Sequence, residues 1–162
     1  MYEMTITPSA SFTRPANTTA YGAGDLVANS ATSGEVVPME FMVSKLSHGR
    51  GKARRARLHK NDATTTNASF TLHLFTAAPT VTNGDNGALA VSTAAAYLSA
   101  VAIDMTSGAF AGTSDLIDFA AVNPEINFDL ESGRKIYGLL EAEAAYVPAS
   151  GEVFTVTLEI EG

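Results

Sequence analysis

The sequence contains no cysteine and no tryptophan. The first absence excludes disulfides, thiolate zinc sites and a cysteine nucleophile. A chain of 162 residues needs no such staples, because folding at that size buries roughly 70% of the unfolded surface. Long apolar runs are missing as well. Nowhere does one reach the roughly 18 residues of a membrane-crossing helix, and the longest small-apolar stretch, residues 94–103, is short and alanine-rich. The first residues show neither a basic n-region nor an apolar h-region, so no signal peptide is expected. No membrane partner is expected either. Without secretion, Asn17-Thr18-Thr19 and Asn67-Ala68-Ser69 read as chance matches to the glycosylation pattern.

Positive charge is scarce and unevenly placed. The net charge is −7, from 10 basic and 17 acidic residues. Seven of the ten bases, Lys45, Arg50, Lys52, Arg54, Arg55, Arg57 and Lys60, lie within residues 45–60, a stretch with no acid. The rest of the chain sets three bases against all 17 acids, a net −14. An acidic body with one basic segment is suited to pair with copies of itself or with another acidic surface. Its like-sign surface opposes nonspecific nucleic-acid binding.

What the sequence does have is strand-like alternation broken by turn residues. In residues 68–76, Phe70, Leu72 and Leu74 fall on one face, with Thr71, His73 and Phe75 on the other. In residues 153–161, Phe154, Val156, Leu158 and Ile160 alternate with Thr and Glu, the pattern of a half-buried antiparallel strand. Residues 135–145 read as the strand before it, and Pro148-Ala149-Ser150-Gly151 as the turn of a C-terminal hairpin. Further strands are expected at 25–28, 36–46, 52–60, 101–105, 116–120 and 126–130. Pro38 demotes the start of its strand to an edge or a bulge. Ser92 or Thr93 is placed to cap a helical turn or two through Tyr97.

About eight short strands, no amphipathic helix of useful length and no helices between strands predict an all-β fold. The expectation is one antiparallel β-sandwich, jelly-roll-like, with at most one short helix. Residues 1–24 read as an N-terminal arm and loop, and 25–162 as the single sandwich domain.

No catalytic constellation stands out, and no enzyme activity is expected. His48, His59 and His73 form no His-x-His pair and have no Glu at metal-binding spacing, so neither a metal nor another cofactor is expected. No serine sits in a Gly-x-Ser-x-Gly elbow, and no phosphate loop or dinucleotide fingerprint occurs. Glu141 and Glu143 share a strand face, which reads as solvated surface more readily than as a glycosidase pair. Asn83-Gly84-Asp85-Asn86-Gly87 lacks the length and terminal Glu of a calcium loop and reads as a turn. The basic run Lys52-Ala53-Arg54-Arg55-Ala56-Arg57-Leu58-His59-Lys60 has no interleaved aromatics for base stacking. It reads as an edge strand guarded by charge and as an interface strand whose arginines meet carboxylates on a partner.

Three segments carry a resemblance. Residues 14–28, opening Arg14-Pro15-Ala16-Asn17-Thr18-Thr19-Ala20-Tyr21, together with residues 145–158 and with Ser69-Phe70-Thr71-Leu72-His73-Leu74-Phe75 followed by Pro79-Thr80, resemble segments of small virion proteins of tailed bacteriophages. The resemblance implies a head cement or decoration protein with a jelly-roll or related sandwich fold. Such a protein is made in the host cytoplasm and assembles as a dimer or trimer on the outside of the major capsid protein shell. Two surfaces are offered for the contact: the arm, with Phe12, Arg14 and Tyr21 as anchors, and the basic strand, with Lys52, Arg54, Arg55, Arg57 and Lys60. The competing reading is a carbohydrate-binding or fibre-type sandwich module, in which, with no tryptophan present, Tyr97, Tyr137 and Tyr146 would stand in as weak stacking surfaces for sugars.

Overall fold

The computed structural model describes residues 4–162, and among them it contains no helix. The strands are β1 (Thr5–Ile6), β2 (Ser9–Thr13), β3 (Asp25–Val27), β4 (Met39–Met42), β5 (Arg50–Lys60) and β6 (Ser69–Phe75). They continue with β7 (Tyr97–Asp104), β8 (Phe110–Ala111), β9 (Leu116–Asp129), β10 (Lys135–Ala142) and β11 (Val153–Glu161). All pairings are antiparallel. One sheet runs β1–β11–β5–β9–β8, with β2 beside β1 on the same edge of β11. The other runs β3–β10–β6–β7, with β4 beside β3 on the same edge of β10.

The chain changes sheet between β2 and β3, and again after β4, β5, β7, β9 and β10. With the short pieces merged, two four-stranded sheets are left in which first and last strands are neighbours. That is jelly-roll connectivity, as the strand spacing predicts. It also corrects the expected C-terminal hairpin. β10 and β11 are consecutive but lie in opposite sheets, so the turn at 148–151 is a crossover. A local turn signal cannot distinguish the two. The expected helical turn before Tyr97 is a tight turn closed by Tyr97 N–H to the Ala94 carbonyl at 3.0 Å, after which β7 begins.

The core lies where the alternating strands face each other. Phe154, Val156, Leu158 and Ile160 of β11 are 0–1% exposed, and Phe70, Leu72 and Leu74 of β6 are 0% exposed. Phe70 meets Tyr146 and Phe154 edge-on at 5.3 and 5.5 Å, the offset geometry that ring quadrupoles favour. Phe75, on the outward face of β6, is buried too: with Leu26, Val81 and Leu139 it forms a second cluster on the outer face of its sheet. The expected strands at 116–120 and 126–130 are one strand, β9, whose register against β5 jumps between Ala121 and Ile126. No helix among the described residues is long and apolar enough to cross a membrane.

Candidate interaction surface

Lys52, Arg54, Arg55 and Arg57 all lie on β5, and β5 sits in the middle of its sheet between β11 and β9. The expectation of a charge-guarded edge strand is therefore wrong. Its two flanking strands supply the carboxylates that make a central basic strand tolerable. Alternation aims Ala53, Ala56 and Leu58 inward. A bulge at Arg54 puts two arginines in succession on the outer face. There Lys52 Nζ lies 3.2 Å from Glu125 and 3.7 Å from Glu161, and Arg54 lies 3.0 Å from Glu125 and 2.5 Å from Glu161. Two bases and two acids thus form one closed group. The hydrogen bond to Glu125 pulls the Lys52 pKa above its ordinary value, and the charge of Glu161 does the same for Arg54. Arg55 meets Glu159 at 2.8 Å, and Arg50 meets Asp129 at 3.0 Å.

Arg57 is the exception on this face. Its guanidinium donates to Thr157 Oγ1 at 3.1 Å and, among the described residues, has no carboxylate within ion-pair distance. Beside it on β9 stands Phe119, half exposed, with the Arg55 guanidinium 5.0 Å from its ring centre. Phe110 on β8 is 75% exposed and lies on the same sheet, opposite Ile117. Row upon row of hydroxyls continues the face towards the other edge: Ser9 bonds Thr157 at 2.9 Å and Ser11 bonds Thr155 at 2.7 Å.

Three of the expected interface residues are inside the protein instead. Arg14 and Tyr21 are 2% exposed and Lys60 is 0% exposed, so none is available to a partner. Asp85 meets Arg14 Nη2 at 3.0 Å and accepts from the Tyr21 hydroxyl at 2.7 Å and from Ala28 N–H at 2.9 Å. Arg14 also donates to Tyr21 and to the carbonyls of Asn17 and Ala149. Lys60 donates to Tyr146 at 2.9 Å and to the Asp62 carbonyl at 2.7 Å, and Tyr146 donates to Glu152 at 2.7 Å. Burial raises the pKa of both tyrosines and of Glu152. The two groups join through Arg14 N–H to the Glu152 carbonyl and Tyr21 N–H to the Tyr146 carbonyl, both at 2.9 Å. This network ties three distant loops to one end of the sandwich, and every charge in it has a partner. Tyr146, 0% exposed, is likewise unavailable for sugar stacking. Phe12 is partly buried, stacked on Phe154 at 5.6 Å.

On the other sheet's outer face, His73 donates to or accepts from the Tyr97 hydroxyl at 3.0 Å and lies 3.6 Å from Glu141. Burial, then the hydrogen bond and charge of Glu143, push the Glu141 carboxyl up to about 7. The strand face expected to be simply solvated is thus partly enclosed at Glu141. Among the described residues no three His, Asp or Glu side chains are grouped to hold a metal ion.

No protein-family model matches the sequence, and no curated protein matches it. Among solved structures it is similar to that of Desmodium yellow mottle tymovirus, at 14% identity and a TM-score of 0.31, over 99% of this chain and 87% of that one. An overlap this loose carries no functional information, which leaves the chemistry of the surface to supply it.

Proposed function

We propose that this chain is a structural protein of a tailed-phage virion that binds the outside of the capsid shell and stabilises it. The observation that carries the reading is the composition of the β5–β9 face. An arginine with no carboxylate partner among the described residues, a half-exposed Phe119 and a more exposed Phe110 stand together on a sheet. Arginine and aromatic side chains dominate the energetics of protein interfaces, and they serve a broad contact rather than a pocket. The jelly roll is a scaffold used in viral coats, among other roles, and the three sequence segments that resemble phage virion proteins point the same way. An acidic patch on the capsid is the kind of partner that an unpaired Arg57 suits. Self-association into a dimer or trimer belongs to the same reading.

The test uses Arg57→Ser with Phe119→Ser, changes at one half-buried and one exposed position on the outer face that leave the core alone. Circular dichroism first establishes that the variant is folded. Binding to undecorated heads is then expected to fall at least about tenfold, more steeply at low salt, where screening is weak. Unchanged occupancy and unchanged oligomer mass would remove this face from the interface. Binding of soluble polysaccharide through the same rings, with none to heads, would replace the proposal by the carbohydrate-binding reading.

A further inference from the structure

The two unpaired bases outside β5 and half of the exposed large hydrophobic side chains among the described residues gather in one place. A groove of about 1090 Å³ runs along the side of the sandwich where both sheets end, between β1 and β2 on one side and β4 on the other. Its inner wall is Ile6, Val43 and Ile160, and its rim carries Met4, Met42 and Leu46, which are 56%, 43% and 77% exposed. A second trough, which shares Ser9 and Glu40 with the first, extends it past Val37, 65% exposed. Four of the eight exposed large hydrophobic side chains among the described residues therefore lie along this one line.

Two further features say what fits there. Among the described residues β2 is paired only with β11 and β4 only with β10, so each turns a strand edge without a described sheet partner towards the groove. Such an edge is a template for an added strand. The charge on the rim is also selective. Among the described residues, only Lys45, Arg57 and Arg134 of the ten bases form no ion pair with a carboxylate. Lys45 and Arg134 both line the groove, whereas its one acidic side chain, Glu40, is already held by Lys135.

We infer that the groove binds an extended segment of a partner protein in which apolar side chains alternate with carboxylates. Its main chain adds to the free edge of β2 or β4, its apolar side chains cover Met4, Met42 and Leu46, and its carboxylates meet Lys45 and Arg134. Over a protein of net charge −7 an acidic segment is repelled on average, and the two uncompensated bases on the rim offset that repulsion locally. None of Arg57, Phe110 and Phe119 lines this groove, so the variants that test it leave the capsid reading's anchors untouched and the two stand or fall apart.

The probe is a fluorescent, capped peptide of about nine residues alternating valine and glutamate, long enough to span roughly 30 Å. Its binding to the intact chain is followed by anisotropy. Saturable binding is expected, weakened about tenfold or more by Leu46→Ser and by Lys45→Glu with Arg134→Glu, all exposed changes checked for folding. The charge-reversed variant should instead prefer the valine–lysine twin. N-methylation of alternate peptide amides should abolish binding by blocking strand addition. Absence of binding, equal binding of the lysine twin, or indifference to Leu46→Ser would overturn the inference. So would a self-associated species that Leu46→Ser dissolves, which makes the occupant a second copy. Binding to anionic lipid vesicles through these residues in preference to the peptide would overturn it as well.

Discussion

Removing Asp85 should cost the fold far more than its place in a glycine- and asparagine-rich turn implies. Its carboxylate receives the Arg14 guanidinium, the Tyr21 hydroxyl and the Ala28 amide. The side chains of Arg14 and Asp85 are 0% and 1% exposed. Asp85→Ala leaves a buried cation uncompensated and two donors unsatisfied. Breaking a buried pair on one side destabilises by about 3–5 kcal/mol. With a urea slope near 2 kcal/mol/M, the unfolding midpoint should fall by about 2 M. Arg14→Met should cost less, since Asp85 keeps Tyr21 and Ala28. In the double variant the buried charge is gone, so its loss should be smaller than the two single losses added, by about 2 kcal/mol. Equilibrium urea denaturation of the four proteins measures this cycle. Additive losses, or an Asp85→Ala loss below about 1 kcal/mol, would refute the claim that these charges are held as a buried pair.

Other expectations are simpler. Leu158→Ala should cost about 2–5 kcal/mol because the side chain is fully buried, while Thr157→Ala on the opposite face should cost little. Equal losses in urea would mean the faces of β11 are misassigned. Gly84→Ala should be strongly destabilising, because a Cβ there sits 2.2 Å from the Ala31 carbonyl oxygen. A wild-type midpoint in that variant would contradict the packing. The Glu141 carboxyl, raised from 4.5 to about 7 when folded, binds its proton in the native state first. Its contribution therefore makes stability fall as pH rises from about 4.5 to about 7, and no further above that. His73, pushed below 6.5 by burial, acts the opposite way: its contribution is present above 6.5 and lost as pH falls. Glu141→Gln should remove the first trend and keep the second; an unchanged pH profile of the urea midpoint would exclude this role for Glu141.

Alternation read β11 face by face because it has one wetter and one buried side, and it read the inner row of β6 but not the burial of Phe75 on the other face. It also carried information that was easily overlooked. Ala56, Leu58 and Lys60 share a parity, and the structure buries all three; a lysine in phase with the core is a lysine with an internal partner. Arg14 offered no such signal. Its partner Asp85 is 71 residues away, and spacing cannot foretell a contact fixed by topology. The same limit explains β10 and β11. Their turn chemistry is what a hairpin needs, yet each finds better apolar cover in a different sheet. The segments that resemble phage proteins, 14–28 and 145–158, supply Arg14, Tyr21, Tyr146 and Glu152 to one internal network. Their distinctive residues hold loops together rather than meet a partner.

Charge behaves the same way. Along the chain, seven bases in residues 45–60 look like one basic surface. In an antiparallel sheet, however, each side chain's neighbours come from flanking strands, and here β9 and β11 bring Glu125, Glu159 and Glu161 against Lys52, Arg54 and Arg55. Lys60 is taken inward by Tyr146 and Glu152. Partner-binding charge is what is left after the fold has matched its own. Among the described residues, the positive part of that remainder is Arg57 beside exposed aromatic rings, and Lys45 and Arg134 beside exposed methionines and leucine. Because both sites combine unpaired cations with bare apolar side chains, salt should weaken each only in part, the apolar contact persisting after screening has removed the rest. Complete loss of binding at high salt would show that charge alone holds the partner, and it would take the rings and methionines out of the contact.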